Sequence, residues 1–258
     1  MEYFYTPPHL IEAQELTIEG DEYSHLTHVM RKKVGDTIRV VDGKGNVYDA
    51  VISEISKRTA RCAIHTHHSR LNEPDLDVTL AAGVLKNSSR FDFLVEKSTE
   101  LGVSAIVPLI TERTIPQHRR ADRWQKLALA AMKQSGRCVL PTVHELTSFK
   151  NFITETKPDS LRLIPHEKTE RPTLTHLLRN QKNASVVVCF GPEGGFTDKE
   201  IEAALEAGFA SVSLGNTRLR TETAAIATAA IIIASCSLSA TEGGTQEAPG
   251  IRSVDESR

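Results

Sequence analysis

The chain has 258 residues, 40% of them hydrophobic, and a formal net charge of −2 with a pI near 6.6. That is enough apolar material for one large domain or two of ordinary size, and it excludes a global basic field, so any nucleic-acid contact must be a local patch. No run approaches the roughly 18 apolar residues of a membrane span, the N-terminal MEYFYTPPH lacks the basic-then-apolar pattern of a leader, and Cys62, Cys138, Cys189 and Cys236 show no C-x-x-C spacing, so a soluble cytoplasmic protein with reduced thiols, no membrane and no metal is expected.

Residues 1–72 carry short alternating segments and turn signals. Ile38 and Val40, the turn Asp42-Gly43-Lys44-Gly45-Asn46, then Val47, Ala50 and Ile52 predict a hairpin, Thr59 to Ile64 adds a strand, and a compact β barrel is the expected outcome. The basic stretch His28 to Lys33, with Arg31, Lys32 and Lys33, either holds RNA phosphates or is a solvated charged face. His25, His28, His65, His67 and His68 lack cysteine or carboxylate partners at ligand spacing, which argues against a metal.

The polar, proline-bearing NEPDLD over 72–77 predicts a domain boundary, and the period changes after it. Val78 to Val84 reads as a strand, Ser89 to Leu101 as a helix stopped by Gly102, and Ser104 to Ile110 as a strand. Trp124, Leu127, Ala128 and Ala131 mark a helix, Leu161 to Ile164 a strand, and Pro172 to Arg179 a short helix. Strands alternating with helices indicate a parallel sheet covered on both faces. From Arg113 to Lys126, five basic residues including Arg119, Arg120 and Arg123 stand against Asp122, an RNA patch or a solvated face with Trp124 alone available for stacking.

The apolar run Val186 to Phe190 reads as a buried strand that ends in GPEGG. Thr197 and Glu200 form a capping box, Phe196 and Ile201 a hydrophobic staple, and Gly208 stands at the helix stop. Ala210 to Leu214 is the next strand; the loop 215–220 then leads into TETAAIATAAIII, with Thr221 as N-cap and Thr223 to Ser235 apolar all round, the pattern of a helix buried on every side. Residues 240–258 read as a disordered tail.

Both loops, GPEGG and LGNTRLRTE, leave strands at the carboxyl edge of an α/β sheet, where ligands bind, and they should face one pocket. Ordinary tight turns are the alternative. No G-x-x-x-x-G-K-[ST] or G-x-G-x-x-G occurs, which disfavours nucleotide triphosphates and dinucleotides. Glu193 and Glu222 beside the pocket would repel phosphate and suit a cationic or hydroxyl-rich ligand, with Arg220 adding one fixed positive charge.

GPEGGFT, then LG, then LRTETA, together with RFDFLVEKSTELGVSAIVPLITERT, WQKLALAAMKQSGRCVLP, HLTHVMRKKVGD and VVDGKGNVYDA, resemble the bacterial 16S rRNA (uracil-N3) methyltransferase family, a branch of the SPOUT class, over about residues 1–238. Lys133 departs from it where an acidic residue is expected, and Met30-Arg31 where Leu-Arg is commoner. The resemblance implies an α/β fold with an N-terminal PUA-like β barrel for RNA over 1–72 and a C-terminal SPOUT domain with a trefoil knot over 73–239, in a homodimer. It implies S-adenosylmethionine held by Leu163, Ile164 and Pro165, by Gly191, Pro192, Glu193 and Gly194, and by Leu214, Gly215, Leu219, Arg220 and Thr221. It implies 16S rRNA in the small ribosomal subunit as partner, touched by Arg31, Lys86, Glu100, Gln134 and Arg137. For chemistry at uracil N3, Arg220 is expected to stabilise charge on the ring oxygens, and Glu222 to orient Arg220 or accept the proton. Two other readings stay open: an enzyme of the same class acting on another RNA, and a non-catalytic RNA-binding protein whose glycine loops are only turns.

Overall fold

The computed structural model describes residues 3–115, 120–166, 172–178 and 185–241. Strand β1 (Tyr3–Tyr5) is followed by β2 (Glu15–Glu19), helix α1 (Gly20–Ser24) running into a π-helical turn at His25–Val29, β3 (Thr37–Val41), β4 (Asn46–Ile55) and β5 (Thr59–Ser69). The predicted hairpin is β3 with β4. Its turn is fixed by Asp42, whose carboxylate accepts from Lys44 N–H (2.7 Å), Asn46 N–H (3.1 Å) and the Asn46 amide (2.6 Å). The sheet order is β1-β3-β4-β5-β2, with only the β1–β3 pair parallel. No ladder joins β1 to β2 among the described residues, so the expected barrel is a half-barrel wrapped around Phe4, Leu16, Ile18, Ile38, Val40 and Ile52.

After the polar stretch 72–77 come β6 (Asp77–Gly83), α2 (Ser88–Leu101), β7 (Ala105–Ile110), α3 (Ala121–Ser135), the short β8 (Thr142–Val143) and β9 (Thr147–Ser148), α4 (Phe149–Glu155) and β10 (Leu161–Pro165). The chain continues through α5 (Leu174–Leu178), β11 (Ser185–Phe190), α6 (Asp198–Glu206), β12 (Ala210–Val212) and α7 (Thr221–Thr241). All pairings are parallel, in the order β12-β10-β11-β6-β7-β8, with β9 also on β7. One sheet face packs against α2, α3 and α7, through Leu80, Phe91, Leu94, Trp124, Val188 and Ile232; the other packs against α4 and α6, through Val107, Phe149, Cys189 and Ile201. The central strands therefore read as unbroken apolar runs because both faces are covered.

Helix starts and stops follow the local signals. Asn87 caps α2 by accepting from Ser89 N–H (3.0 Å), and Thr197 and Glu200 complete the expected capping box on α6. Helix α4 gave no clear period and was not anticipated. Strand β12 ends at Val212, two residues short of the expected Leu214. The first helical bond of α7, Ala224 N–H to Arg220 C=O (2.8 Å), puts Arg220 rather than Thr221 at the N-cap.

Helix α7 is not buried on every side: Ala225, Thr228, Ala229 and Ile232 are fully enclosed, but Thr223, Ile231 and Ala234 face outward. It also runs to Thr241, past the expected start of the tail; residues 242–258 lie outside the described residues, as does Arg179 at the end of the expected short helix.

The two units meet at the hairpin turn. Tyr3, Val41 and Val47 pack on Met132 and Cys138, and backbone bonds run from Gly45 N–H to Cys138 C=O (3.0 Å) and from Leu140 N–H to Gly43 C=O (2.9 Å). The departure at Lys133 serves this junction: its ammonium pairs with Glu22, whose other oxygen accepts from Tyr5 N–H (3.1 Å).

Candidate functional site

Strands β10, β11 and β12 are neighbours in the sheet, so the loops leaving their carboxyl ends converge. They enclose a cleft of about 540 Å³. Pro165, the whole of Gly191 to Gly194, Leu214, Gly215, Leu219, Arg220 and Thr221 line it, so the loops at Gly191 and Gly215 do share one cavity. Leu163 and Ile164 do not reach it. Successive strand residues point to opposite faces, which puts Leu163 in one core layer and Ile164 in the other, both fully buried.

Close approach explains the first loop's composition. A Cβ on Gly191 would sit 2.7 Å from the Gly195 carbonyl carbon and 2.8 Å from Phe196 N, and a Cβ on Gly83 would sit 2.7 Å from Pro192. Thr221 is the tie between the loops: its hydroxyl donates to Gly191 C=O (2.8 Å). In the second loop Gly215 holds φ +114°, a conformation a side chain resists.

The charged groups are arranged differently from the sequence expectation. Both Glu222 oxygens accept from Arg90, from Nε at 2.8 Å and Nη2 at 2.7 Å, while Arg90 Nη1 reaches Glu193 Oε1 at 3.3 Å. Glu193 Oε1 also accepts Lys86 N–H (3.0 Å). Burial alone would raise the Glu222 pKa, but the Arg90 hydrogen bonds, its own backbone N–H and the charges of Arg90 and Arg220 together hold it below the usual glutamate value. Glu222 is thus a pinned carboxylate that orients Arg90. Both its oxygens are engaged by Arg90, and no hydrogen bond joins it to Arg220 among the described residues. Arg220 is exposed at the cleft, and its guanidinium makes no hydrogen bond among the described residues.

Arg90 and Arg113 line the cleft and were not assigned to it from sequence. Arg90 sits inside the quoted RFDFLVEK segment with no local cue to its partner, because Glu222 is 132 positions away. Phe190, Phe196 and His166 are also part of the wall.

The expected RNA residues scatter. Arg31 is exposed at the end of the π-helical turn with φ +53°, and Lys86 stands beside Glu193 at the cleft. Glu100 and Gln134 lie apart from the cleft, in a groove between α2 and α3 that also holds Lys97, bonded to Glu100 at 2.8 Å.

Arg137 contradicts its expected role. Its side chain is 5% exposed and donates to Glu73 from Nε (3.1 Å) and Nη2 (2.7 Å), and from Nη1 to the carbonyls of Thr99 (2.7 Å) and Val103 (3.0 Å). It is a structural strut. Trp124 likewise offers no base-stacking face: it is 1% exposed, and its indole N–H donates to Asp92 (3.0 Å), which also holds Arg123 (2.6 Å). Arg119 of the basic segment lies outside the described residues.

Among the described residues no group of three or more His, Cys, Asp or Glu side chains could hold a metal ion, and no helix is long and apolar enough to cross a membrane. Burial pushes the thiols of Cys62 and Cys138 up to about 12, so neither is a thiolate nucleophile at neutral pH.

A PUA-like half-barrel joined to a parallel α/β domain with a glycine-walled cleft at its carboxyl edge is the architecture of an RNA-modifying enzyme. Residues 72–233 match the family of the RNA methyltransferase domain, and residues 18–64 match the RNA methyltransferase PUA domain. Ribosomal RNA small subunit methyltransferase E of Synechocystis is 36% identical over 222 residues, 84% of this chain and 72% of that protein. The enzyme of the same name from Bacillus subtilis is 27% identical, over 85% of this chain and 90% of that protein. A crystal structure of ribosomal RNA small subunit methyltransferase E from Neisseria gonorrhoeae bound to S-adenosyl methionine is similar at 33% identity and TM-score 0.79, covering 89% of this chain and 95% of that one. The chain belongs to the ribosomal RNA small subunit methyltransferase E family.

Proposed function

We infer that this chain methylates small-subunit ribosomal RNA with S-adenosylmethionine as donor, and that the target atom is N3 of a uracil in 16S rRNA. The observation that carries this is the single cleft shared by the Gly191 and Gly215 loops. Its volume lies within the ~300–1,000 Å³ typical of small-molecule sites. Backbone of 191–194 and 214–220, the carboxylate of Glu193 and the neighbouring arginines suit a ligand that joins a flat heterocycle, an ammonium-carboxylate end and a cationic sulfur. The similar Neisseria enzyme, solved with that donor bound, supports the same reading. When bound, the donor supplies an electrophilic methyl group.

The residues of this chain then have distinct tasks. Arg220, exposed in the cleft, stabilises negative charge on the uracil oxygens as the N3 proton leaves. Arg90, held by Glu222, fixes the start of α7 against the GPEGG loop. Arg31 and Lys86 contact RNA phosphates, as fork and point charge respectively.

The protein works as a cytoplasmic homodimer: α2 and α7 pack side by side, and each leaves a large apolar residue exposed, Phe93 at 48% and Ile231 at 38%. The trefoil knot belongs to the same proposal, with α7 as the threaded piece packed among α2, α5, β6 and β11.

Mass spectrometry of 16S rRNA from cells with and without this protein tests the reaction; loss of one N3-methyluridine is the expected result, and an unchanged modification pattern overturns it. In vitro, Arg220→Ala should bind the donor as tightly as wild type and lose methylation; unchanged turnover would remove Arg220 from the chemistry.

A further inference from the structure

The basic segment that begins at Arg113 invites the reading that Arg113 touches RNA, but its guanidinium is already engaged. Arg113 Nη1 donates to Gly194 C=O (2.6 Å) and to Phe196 C=O (3.3 Å), one carbonyl on each side of Gly195, which holds φ +69°. The stem lies against the same loop: a Cβ on Gly194 would sit 3.1 Å from Arg113 Cδ and 3.3 Å from its Cβ.

The side chain is aimed by a tight turn after β7. Thr114 N–H donates to Thr111 C=O (3.1 Å), Thr111 N–H donates to the Thr114 hydroxyl (3.0 Å), and the two hydroxyls share a further bond (3.0 Å). The residue before it grips the far end of the loop, since Glu112 N–H donates to Glu200 Oε1 (2.9 Å), while Glu200 Oε2 accepts from Thr197 N–H (2.8 Å) to close the capping box. Two adjacent residues, Glu112 and Arg113, thus hold residues 194–200 at both ends from the turn that follows β7.

We propose that Arg113 is a positioning residue that sets the shape of the 191–196 loop, and through it donor affinity, and is not an RNA contact. The inference deepens the donor-site reading and rests on it. The rigid guanidinium holds one nitrogen, Nη1, in fixed orientation between the two carbonyls; a lysine ammonium is a point charge on a flexible stem without that preorganisation, and a glutamine amide leaves the loop without a charged donor. The order of effect should therefore be wild type, Arg113→Lys, Arg113→Gln.

Three measurements on the full chain test it. Hydrogen–deuterium exchange of ligand-free protein should show faster exchange in the peptide covering 191–200 for Arg113→Gln, and a smaller increase for Arg113→Lys. Calorimetric titration with S-adenosylmethionine should give a Kd raised about tenfold for Gln and a few-fold for Lys, the loss of one charge-assisted hydrogen-bonding group. The slope of log affinity against log salt for a small-subunit rRNA transcript should stay at the wild-type value, whereas loss of a phosphate contact would reduce it by about one.

Wild-type loop exchange and wild-type donor affinity in Arg113→Gln would overturn the proposal, as would a reduced salt slope with donor affinity intact. If Arg113→Gln fails to fold, Arg113→Lys carries the same three readouts. A wild-type protein that binds no donor would overturn the functional reading instead, and the ligand-free exchange would still decide on Arg113.

Discussion

Arg137→Ala separates a structural arginine from an RNA-binding one, and the geometry supplies its size. Arg137 and Glu73 are 5% and 1% exposed, and removing one partner of a buried pair costs about 3–5 kcal/mol because the other charge is left uncompensated. Glu73 keeps two backbone donors, Cys138 N–H (2.7 Å) and Val139 N–H (2.9 Å), which argues for the lower end. Both carbonyls lose the arginine, but that of Thr99 still accepts from Gly102 N–H (3.1 Å), so the further cost is that of Val103 C=O, about another 1 kcal/mol. The sum is about 4 kcal/mol. At about 2–4 °C per kcal/mol for a chain of this size, the melting temperature should fall by roughly 10 °C. Thermal unfolding followed by circular dichroism measures it, and rRNA binding below the melting point should keep its wild-type salt slope. A melting temperature within about 2 °C of wild type, combined with weakened RNA binding, would refute the argument and return Arg137 to the RNA surface.

Other outcomes follow from the same geometry. Gly191→Ala places a methyl 2.7 Å from backbone of the same loop, so calorimetry should show donor affinity lowered more than about tenfold with little change in secondary structure. Glu222→Gln should cost about 2 kcal/mol at neutral pH by urea unfolding, less than a fully buried pair because Arg90 is 25% exposed. Because the folded Glu222 carboxyl is depressed, its contribution is complete above the ordinary value of 4.5 and is lost as pH falls through the depressed one; the gap between wild type and variant should therefore narrow as pH falls below 4.5. Ile231→Asp, on the outward face of α7, should shift light-scattering mass from the proposed dimer toward monomer; an unchanged mass would refute the proposal that this face pairs two copies.

Much of the architecture was legible in the chain because the signals are local. The capping box at Thr197 and Glu200, the apolar runs at 78–84 and 186–190, and the Asp42 to Asn46 turn each depend on neighbours within a few positions. The two glycine loops were readable as a pair because parallel strands deliver their loops to one edge whatever the strand order. The donor-site expectation fared worse at Leu163 and Ile164, whose alternating directions in β10 send both into the core layers.

What the tertiary structure alone decided is which charges face which. Arg90 meets Glu222 across 132 positions, Arg113 meets Gly194 across 81, and Arg137 meets Glu73 across 64. A run of arginines looks the same in a sequence whether its members are solvated, bound to phosphate or bent back onto carbonyls, since charge pairing depends on distance in space and carries no period along the chain. Composition and periodicity therefore determined the layers, the helix ends and the edge where a ligand sits. The partner of each arginine, and with it the division of labour among Arg90, Arg113, Arg137 and Arg220, came only from the packed sheet that brings distant loops within hydrogen-bonding reach.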